Sequence, residues 1–132
     1  MAKIKLLIDT NILIDSLSGV KVAKDLFRTK DMDIYCSILS KKELLSKGGL
    51  RESKRKRVIN LLLSRIKVLR IDDDINKNYF SLLKKCGERP ERIAGYIIAA
   101  KAWSKKLALL TRNRKHFVYI KEITLSPGYE IE

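Results

Sequence analysis

The stretch Leu6-Leu7-Ile8-Asp9-Thr10-Asn11-Ile12-Leu13 decides the fold. An apolar run passes directly into an acid, a hydroxyl and an amide, and apolar residues then resume. The run predicts a buried strand that ends at Ile8. In open α/β sheets, ligands bind at the carboxyl edge of the strands. Asp9 is therefore expected at that edge, where a buried carboxylate requires a cation, a proton or a backbone cap.

The size and composition of the chain predict one globular domain over residues 1–132, because 45% of the residues are hydrophobic and 33% are charged. No repeat or linker divides it. Cys36 and Cys86 form no CxxC pair, which favours free thiols in a reducing compartment. The first apolar run is broken by Asp9 and is too short for a signal peptide or a membrane span. We therefore expect a cytoplasmic protein that does not enter a membrane.

The charge balance favours a polyanionic partner. The formal net charge of the chain is +14, which points first to nucleic acid and second to an anionic membrane surface. A lysine-rich solvated surface is the alternative. The densest basic run lies at the start of a predicted helix, and its candidates for a nucleic-acid patch are Arg51, Lys54, Arg55 and Arg57. The same run is equally consistent with a solvated helix face.

Apolar four-residue strands alternate with amphipathic helices along the whole chain. Strands are predicted near 3–8, 33–38, 68–71, 107–110 and 123–125, with 129–131 as a candidate extension of the last. Helices are predicted near 11–17, 20–29, 40–47, 52–67, 72–86 and 91–105. This alternation predicts an α/β fold, a three-layer α/β/α sandwich on a short, mainly parallel sheet.

Two other segments are expected to bring polar side chains to the edge that carries Asp9. The strand ending at Leu110 is followed by Thr111, Arg112 and Asn113, and the helix after the second strand carries Glu43 in its first turn. Carboxylate, hydroxyl and amide oxygens are ligands that suit Mg²⁺ or Mn²⁺. Such ions activate water and stabilise charge in phosphodiester cleavage. With the basic surface, the pattern favours a metal-dependent nuclease.

Each of these residues also has a simpler role available. Asp9 and Asn11 are good N-caps for the helix that begins there. Glu43 follows Ser40 at the spacing of a capping box. The hydroxyls of Thr10 and Thr111 can be simple strand-end groups. The guanidinium of Arg112 can form an ion pair within the fold.

The chain resembles PIN domain proteins, specifically the short single-domain kind typified by the VapC toxins of bacteria and archaea. The resemblance covers nearly the whole chain and rests on four motifs, LIDTNILID (7–15), SILSKKEL (37–44), IIAAKA (97–102) and LLTRNRKHF (109–117). It implies a Mg²⁺- or Mn²⁺-dependent endoribonuclease, often homodimeric and often held inactive by a small antitoxin. The implied metal-binding catalytic acids are Asp9 and Glu43, and the implied ligand-orienting or substrate-binding residues are Thr10, Asn11, Thr111, Arg112 and Asn113.

Two positions depart from the family pattern. The family usually places an aspartate two residues before the Ile-Ile-Ala-Ala run, where this chain has Gly95, and an acid before the phenylalanine of the fourth motif, where it has His116. Glu91 lies one turn before Gly95 on the same helix face and is a candidate substitute. His116 is either a borderline ligand that favours Mn²⁺ or an exposed or capping residue.

The sequence is consistent with two functions. The first is a metal-dependent endoribonuclease of toxin–antitoxin type, weakened by the loss of two acids. The second is a catalytically degenerate PIN-like module that binds RNA or protein. By analogy with the family, a homodimer would pack the segments 20–27 and 50–62 against a twin.

Overall fold

A computed structural model describes residues 4–46 and 52–129, and the side chains of residues 52 and 53 lie outside that description. The strands are β1 (Ile4–Ile8), β2 (Met32–Ser37), β3 (Lys67–Leu69), β4 (Ala108–Leu110) and β5 (Thr124–Leu125). The helices are α1 (Thr10–Leu17), α2 (Lys21–Leu26), α3 (Ile38–Ser46), α4 (Glu52–Leu63), α5 (Asp73–Cys86) and α6 (Ile93–Lys105). Single turns of 3-10 helix lie at Pro90–Arg92 and Arg114–His116. In the described ranges, no helix has both the length and the apolar character needed to cross a bilayer.

The strands form one sheet in the order β3-β2-β1-β4-β5, and every neighbouring pair is parallel. The predicted α/β architecture is confirmed. Ile8 of β1 is in register with Cys36 of β2 and with Leu110 of β4. The ends of these three strands therefore lie side by side at the carboxyl edge of the sheet, where Asp9 follows β1 and Thr111 follows β4.

The two faces of the sheet carry separate hydrophobic cores, which makes the fold three-layered. Leu7 packs with residues of α5 and α6, including Leu82 and Ala99. Leu6 and Ile8 point to the opposite face, where they pack with residues of α1 and α4. Successive strand residues face opposite sides of a sheet, so β1 is central to both cores.

Helix α3 begins two residues earlier than the sequence pattern predicts. The prediction of a capping box that begins at Ser40 was wrong, because α3 already begins at Ile38. Ser37 fills the capping role, since its hydroxyl accepts a hydrogen bond from the Leu39 amide at 3.1 Å. Ser40 therefore lies inside the first turn, and its hydroxyl pairs with that of Thr10 at 2.7 Å.

Other predicted boundaries are shortened by turns. Helix α2 ends at Leu26, α4 ends at Leu63, and β3 ends at Leu69. Tyr129 lies outside β5, and the rest of the candidate extension at 130–131 lies outside the described residues, as does the predicted helix end at Gly48.

A fully buried lysine links α6 to the ends of two strands. Lys101 is completely buried, and its Nζ donates hydrogen bonds to Ser37 Oγ at 2.6 Å and to the Leu69 carbonyl at 3.0 Å. Burial lowers the pKa of Lys101 to about 8, against a smaller opposing influence of Cys36. Because Ser37 also caps α3, this lysine supports the start of the helix that carries Glu43.

Because Lys101 is buried, the free energy of unfolding should change with pH in the alkaline range. The Lys101 pKa is about 8 in the folded protein and 10.5 as the ordinary value, so between these values the unfolded chain binds the extra proton and stability rises with pH. From pH 7 to pH 9.5 the gain from this group should be about 2 kcal/mol. Urea unfolding of the wild type and Lys101→Met at both pH values measures it. The wild type should gain stability relative to the variant, whereas a constant difference would contradict the prediction.

Candidate active site

A cavity of about 380 Å³ lies at the carboxyl edge of the sheet. Both remaining acids line it, as do both positions at which the family usually has a further acid. The lining residues that were selected from the sequence are Asp9, Thr10, Asn11, Glu43, Glu91, Gly95, Asn113 and His116. Four segments of the chain that are remote in sequence thus meet at one concave surface.

Asp9 is both a helix cap and a cavity residue. Its carboxylate is 9% exposed and accepts a hydrogen bond from the Thr10 amide at 2.7 Å, which caps α1. The other oxygen accepts from the Thr111 hydroxyl at 2.8 Å, across two neighbouring strands. Capping and a site role therefore coexist, and the two bonds fix the orientation of the carboxylate.

Asn11 and Thr111 hold the first and fourth motifs together around Asp9. The Asn11 amide donates to Thr111 Oγ1 at 3.4 Å and lies 3.5 Å from Asp9 Oδ2. The Arg112 amide donates to Asn11 Oδ1 at 3.4 Å. Thr111 is buried and accepts from the Asn113 amide at 3.0 Å. The predicted orienting residues are thus connected to one another through short side chains.

Glu43 is placed by α3, whose start is fixed by Ser37. It lies three residues after Ser40, so the two side chains share one face of the helix. Both line the cavity, and the Ser40 hydroxyl is bonded to Thr10 beside Asp9. Glu43 itself is exposed to solvent. The second acidic motif therefore contributes a carboxylate on the wall adjoining Asp9.

Gly95 and His116, the two positions that differ from the family pattern, line the same cavity. A Cβ atom built at Gly95 would lie 3.6 Å from the nearest ring atoms of Phe117, which is ordinary van der Waals contact. A side chain could therefore be accommodated at this point of α6. His116 is exposed and lines the cavity, as does the exposed Glu91.

Arg112 does not line the cavity; it forms the internal ion pair that was the alternative interpretation of its sequence position. Its guanidinium donates to both carboxylate oxygens of Asp15, from Nε at 2.6 Å and from Nη2 at 2.9 Å. Asp15 is 4% exposed and also accepts from the Tyr129 hydroxyl at 2.7 Å. Sequence reasoning missed Asp15, although an acid one turn after Asn11 on a mostly apolar helix was the available signal.

The described part of the predicted nucleic-acid patch lies on α4. Lys54, Arg55 and Arg57 are exposed on this helix, while Ile59 and Leu63 are buried in the core. Arg51 lies outside the described residues. The exposed cations remain a candidate surface for nucleic acid.

The donor set fits an open, hydrated metal ion rather than an enclosed one. Across residues 4–46 and 52–129, no three histidine, cysteine, aspartate or glutamate side chains are placed to hold a metal ion together. Mg²⁺ commonly keeps several waters and takes one or two carboxylates from a protein. Asp9 and Glu43 match that requirement, with Asp9 already oriented by its hydrogen bonds.

Comparison with known proteins agrees with this architecture. The PIN domain family pattern matches residues 6–122. Ribonuclease VapC10 of Mycobacterium tuberculosis is 31% identical over 122 residues, which cover 89% of this chain and 90% of the relative.

Solved structures show the same fold over nearly all of the chain. A toxin–antitoxin complex from Klebsiella pneumoniae has a TM-score of 0.76 and 29% identity, covering 96% of this chain and 99% of that one. VapBC2 from Rickettsia felis, bound to a DNA fragment from its promoter, has a TM-score of 0.79 and 19% identity, covering 96% and 100%. On the family match and the relative together, the chain belongs to the PIN domain family and, within it, to the VapC toxin ribonucleases.

Proposed function

We propose that this protein is a metal-dependent endoribonuclease of the toxin–antitoxin type, with Asp9 and Glu43 as the acids that hold Mg²⁺ or Mn²⁺. The observation that carries the proposal is that these two acids line one cavity at the sheet edge. The ribonuclease name of the relative from Mycobacterium tuberculosis supports it. The net charge of +14 supports a polyanionic substrate.

The chain's own residues supply position and orientation. A bound divalent ion would supply an activated water and charge neutralisation at the cleaved phosphate. Thr111 and the Thr10 amide hold the Asp9 carboxylate in one orientation, so little rearrangement is needed when substrate arrives. Asn113 lines the cavity and offers amide donors to the RNA. His116 and Glu91 are further candidate donors at the same wall.

A small antitoxin is the proposed protein partner. The similar structures from Klebsiella pneumoniae and Rickettsia felis are a toxin–antitoxin complex and a VapBC complex. We further propose a homodimer and a cytoplasmic location, in keeping with RNA as substrate.

The second candidate function is a degenerate module that binds RNA or protein without cleavage. Gly95 and His116 favour it, because both face the cavity at positions where the family usually has acids. A site with only two acids holds a divalent ion less tightly than one with four.

Cleavage of a labelled RNA by purified protein, with Mn²⁺ or with a chelator, tests the first function. We expect Mn²⁺-dependent cleavage that falls about tenfold or more in Asp9→Asn. Asp33→Asn is the matched control, since it removes an acid from β2 that does not line the cavity.

Equal cleavage by the wild type and Asp9→Asn would assign the activity to a contaminating nuclease. RNA binding without any metal-dependent cleavage would instead favour the degenerate module.

A further inference from the structure

One arginine lies among the acids of the cavity. Arg92 ends the 3-10 turn before α6 and lines the cavity together with Asp9 and Glu43. Among the described residues that line the cavity, Arg92 is the only lysine or arginine. The remaining charged groups there are acids, so Arg92 is the point at which a polyanion would meet a fixed positive charge.

The guanidinium of Arg92 is held by an aromatic ring. Its central carbon lies 4.7 Å from the ring centroid of Tyr119, a cation–π arrangement. The side chain is half-buried. An arginine that is already positioned loses less conformational entropy on binding than a free one.

Arg92 differs from Arg112 in what its donors engage. The donors of Arg112 are taken by Asp15. In the part of the chain that the structure describes, the salt bridges recorded give Arg92 no carboxylate partner. The guanidinium also lies within hydrogen-bonding reach of the uncharged Tyr96 and Tyr119 hydroxyls. Because arginine carries five N–H donors, others remain for a ligand that enters the cavity.

Gly95 adds no further acid to the cavity wall near Arg92. Positions 92 and 95 are three residues apart at the start of α6, a spacing at which side chains meet. An acid at position 95 would add a negative charge to this part of the wall. Glycine offers no such group and leaves the space beside Phe117 open.

We propose that Arg92, held against Tyr119, is a phosphate-binding residue of the cavity and contacts the backbone of a single-stranded RNA. Two guanidinium N–H groups match two non-bridging phosphate oxygens in a bidentate contact. This inference rests on the proposed RNA substrate, but it requires binding only and not cleavage.

The test is the salt dependence of RNA binding in the presence of a chelator, which prevents metal-dependent cleavage. Single-stranded RNA binding to the wild type is compared with Arg92→Gln and with Arg89→Gln. Arg89 is an exposed neighbour that does not line the cavity. Arg89→Gln therefore removes the same charge as Arg92→Gln, but from outside the cavity. We expect Arg92→Gln to reduce the slope of log K against log salt by about 0.7, with affinity reduced about tenfold at low salt. Arg89→Gln should leave the slope unchanged.

Substitutions at Tyr119 separate positioning from charge. Tyr119→Phe keeps the ring on which Arg92 stacks and should keep most of the wild-type affinity. Tyr119→Leu removes the ring and should weaken binding while Arg92 is still present. Thermal unfolding of each variant shows whether it is folded under the binding conditions.

Equal slopes for Arg92→Gln and the wild type, or equal losses in the Arg89 and Arg92 variants, would overturn the inference. Absence of any RNA binding by the wild type would overturn it as well. RNA binding that depends on Arg92 without cleavage under Mn²⁺ would uphold this inference and overturn only the proposed nuclease activity.

Discussion

Replacing Gly95 and His116 together with aspartate is expected to raise the affinity of the cavity for Mn²⁺ by about 100-fold or more, because the number of carboxylates largely sets divalent-ion affinity. Both positions line the cavity that contains Asp9 and Glu43. The wall at Gly95 accommodates a Cβ at ordinary contact distance from Phe117. An acid in the first turn of α6 also suits the helix dipole.

The measurement is a Mn²⁺ titration of the wild type and of Gly95→Asp/His116→Asp, followed by the RNA cleavage assay. The matched control is Asn60→Asp/Asn76→Asp, which adds two negative charges at exposed positions on α4 and α5. A gain no larger than that of the control would show that acids at 95 and 116 do not reach the ion.

The cleavage assay then distinguishes the two candidate functions. Cleavage only by the variant with restored acids would identify the natural chain as the degenerate module. Cleavage by both proteins, faster in the variant, would identify a weakened enzyme.

Arg112→Met is expected to lower the free energy of unfolding by about 3 kcal/mol, because it leaves the buried carboxylate of Asp15 without its charged partner. Among the described residues, Asp15 would keep the Tyr129 hydroxyl as its side-chain hydrogen-bond partner. Its side chain is 5% exposed, whereas that of Arg112 is 36% exposed. Asp15→Leu should therefore cost less, since the arginine it leaves behind can reach water.

Urea unfolding of the two single variants and of Asp15→Leu/Arg112→Met measures the coupling between them. The double variant should be more stable than Arg112→Met alone. Additive losses would show that the pair contributes little beyond its separate side chains. Lys105→Met is the control, because its ion pair with Asp72 lies on the surface.

The sequence predicts those parts of the site that depend on local pattern and on parallel topology. An apolar run ending in Asp9 is sufficient to place that carboxylate at the sheet edge, and the next parallel strands bring Thr111 and Glu43 to the same edge. The departures at 95 and 116 were also visible, because they fall within motifs of fixed spacing.

The remaining features depend on contacts between residues that are distant in sequence. Lys101 lies on the helix face of buried residues, but a lysine at that spacing gives no sign of its bonds to Ser37 and Leu69. The stacking of Arg92 on Tyr119 joins two segments whose separation in sequence carries no pattern. Such pairings are determined by packing, which periodicity does not report.

The hydrogen bond from Thr111 to Asp9 has a consequence for the time at which the protein could act. It joins two residues that are 102 positions apart in the sequence. During synthesis, Asp9 and Glu43 leave the ribosome long before β4, and the aspartate gains its fixed orientation only when that strand docks beside β1. A nascent chain would therefore carry both acids without an assembled site. The proposed activity would therefore begin only after β4 has been synthesised and has docked beside β1.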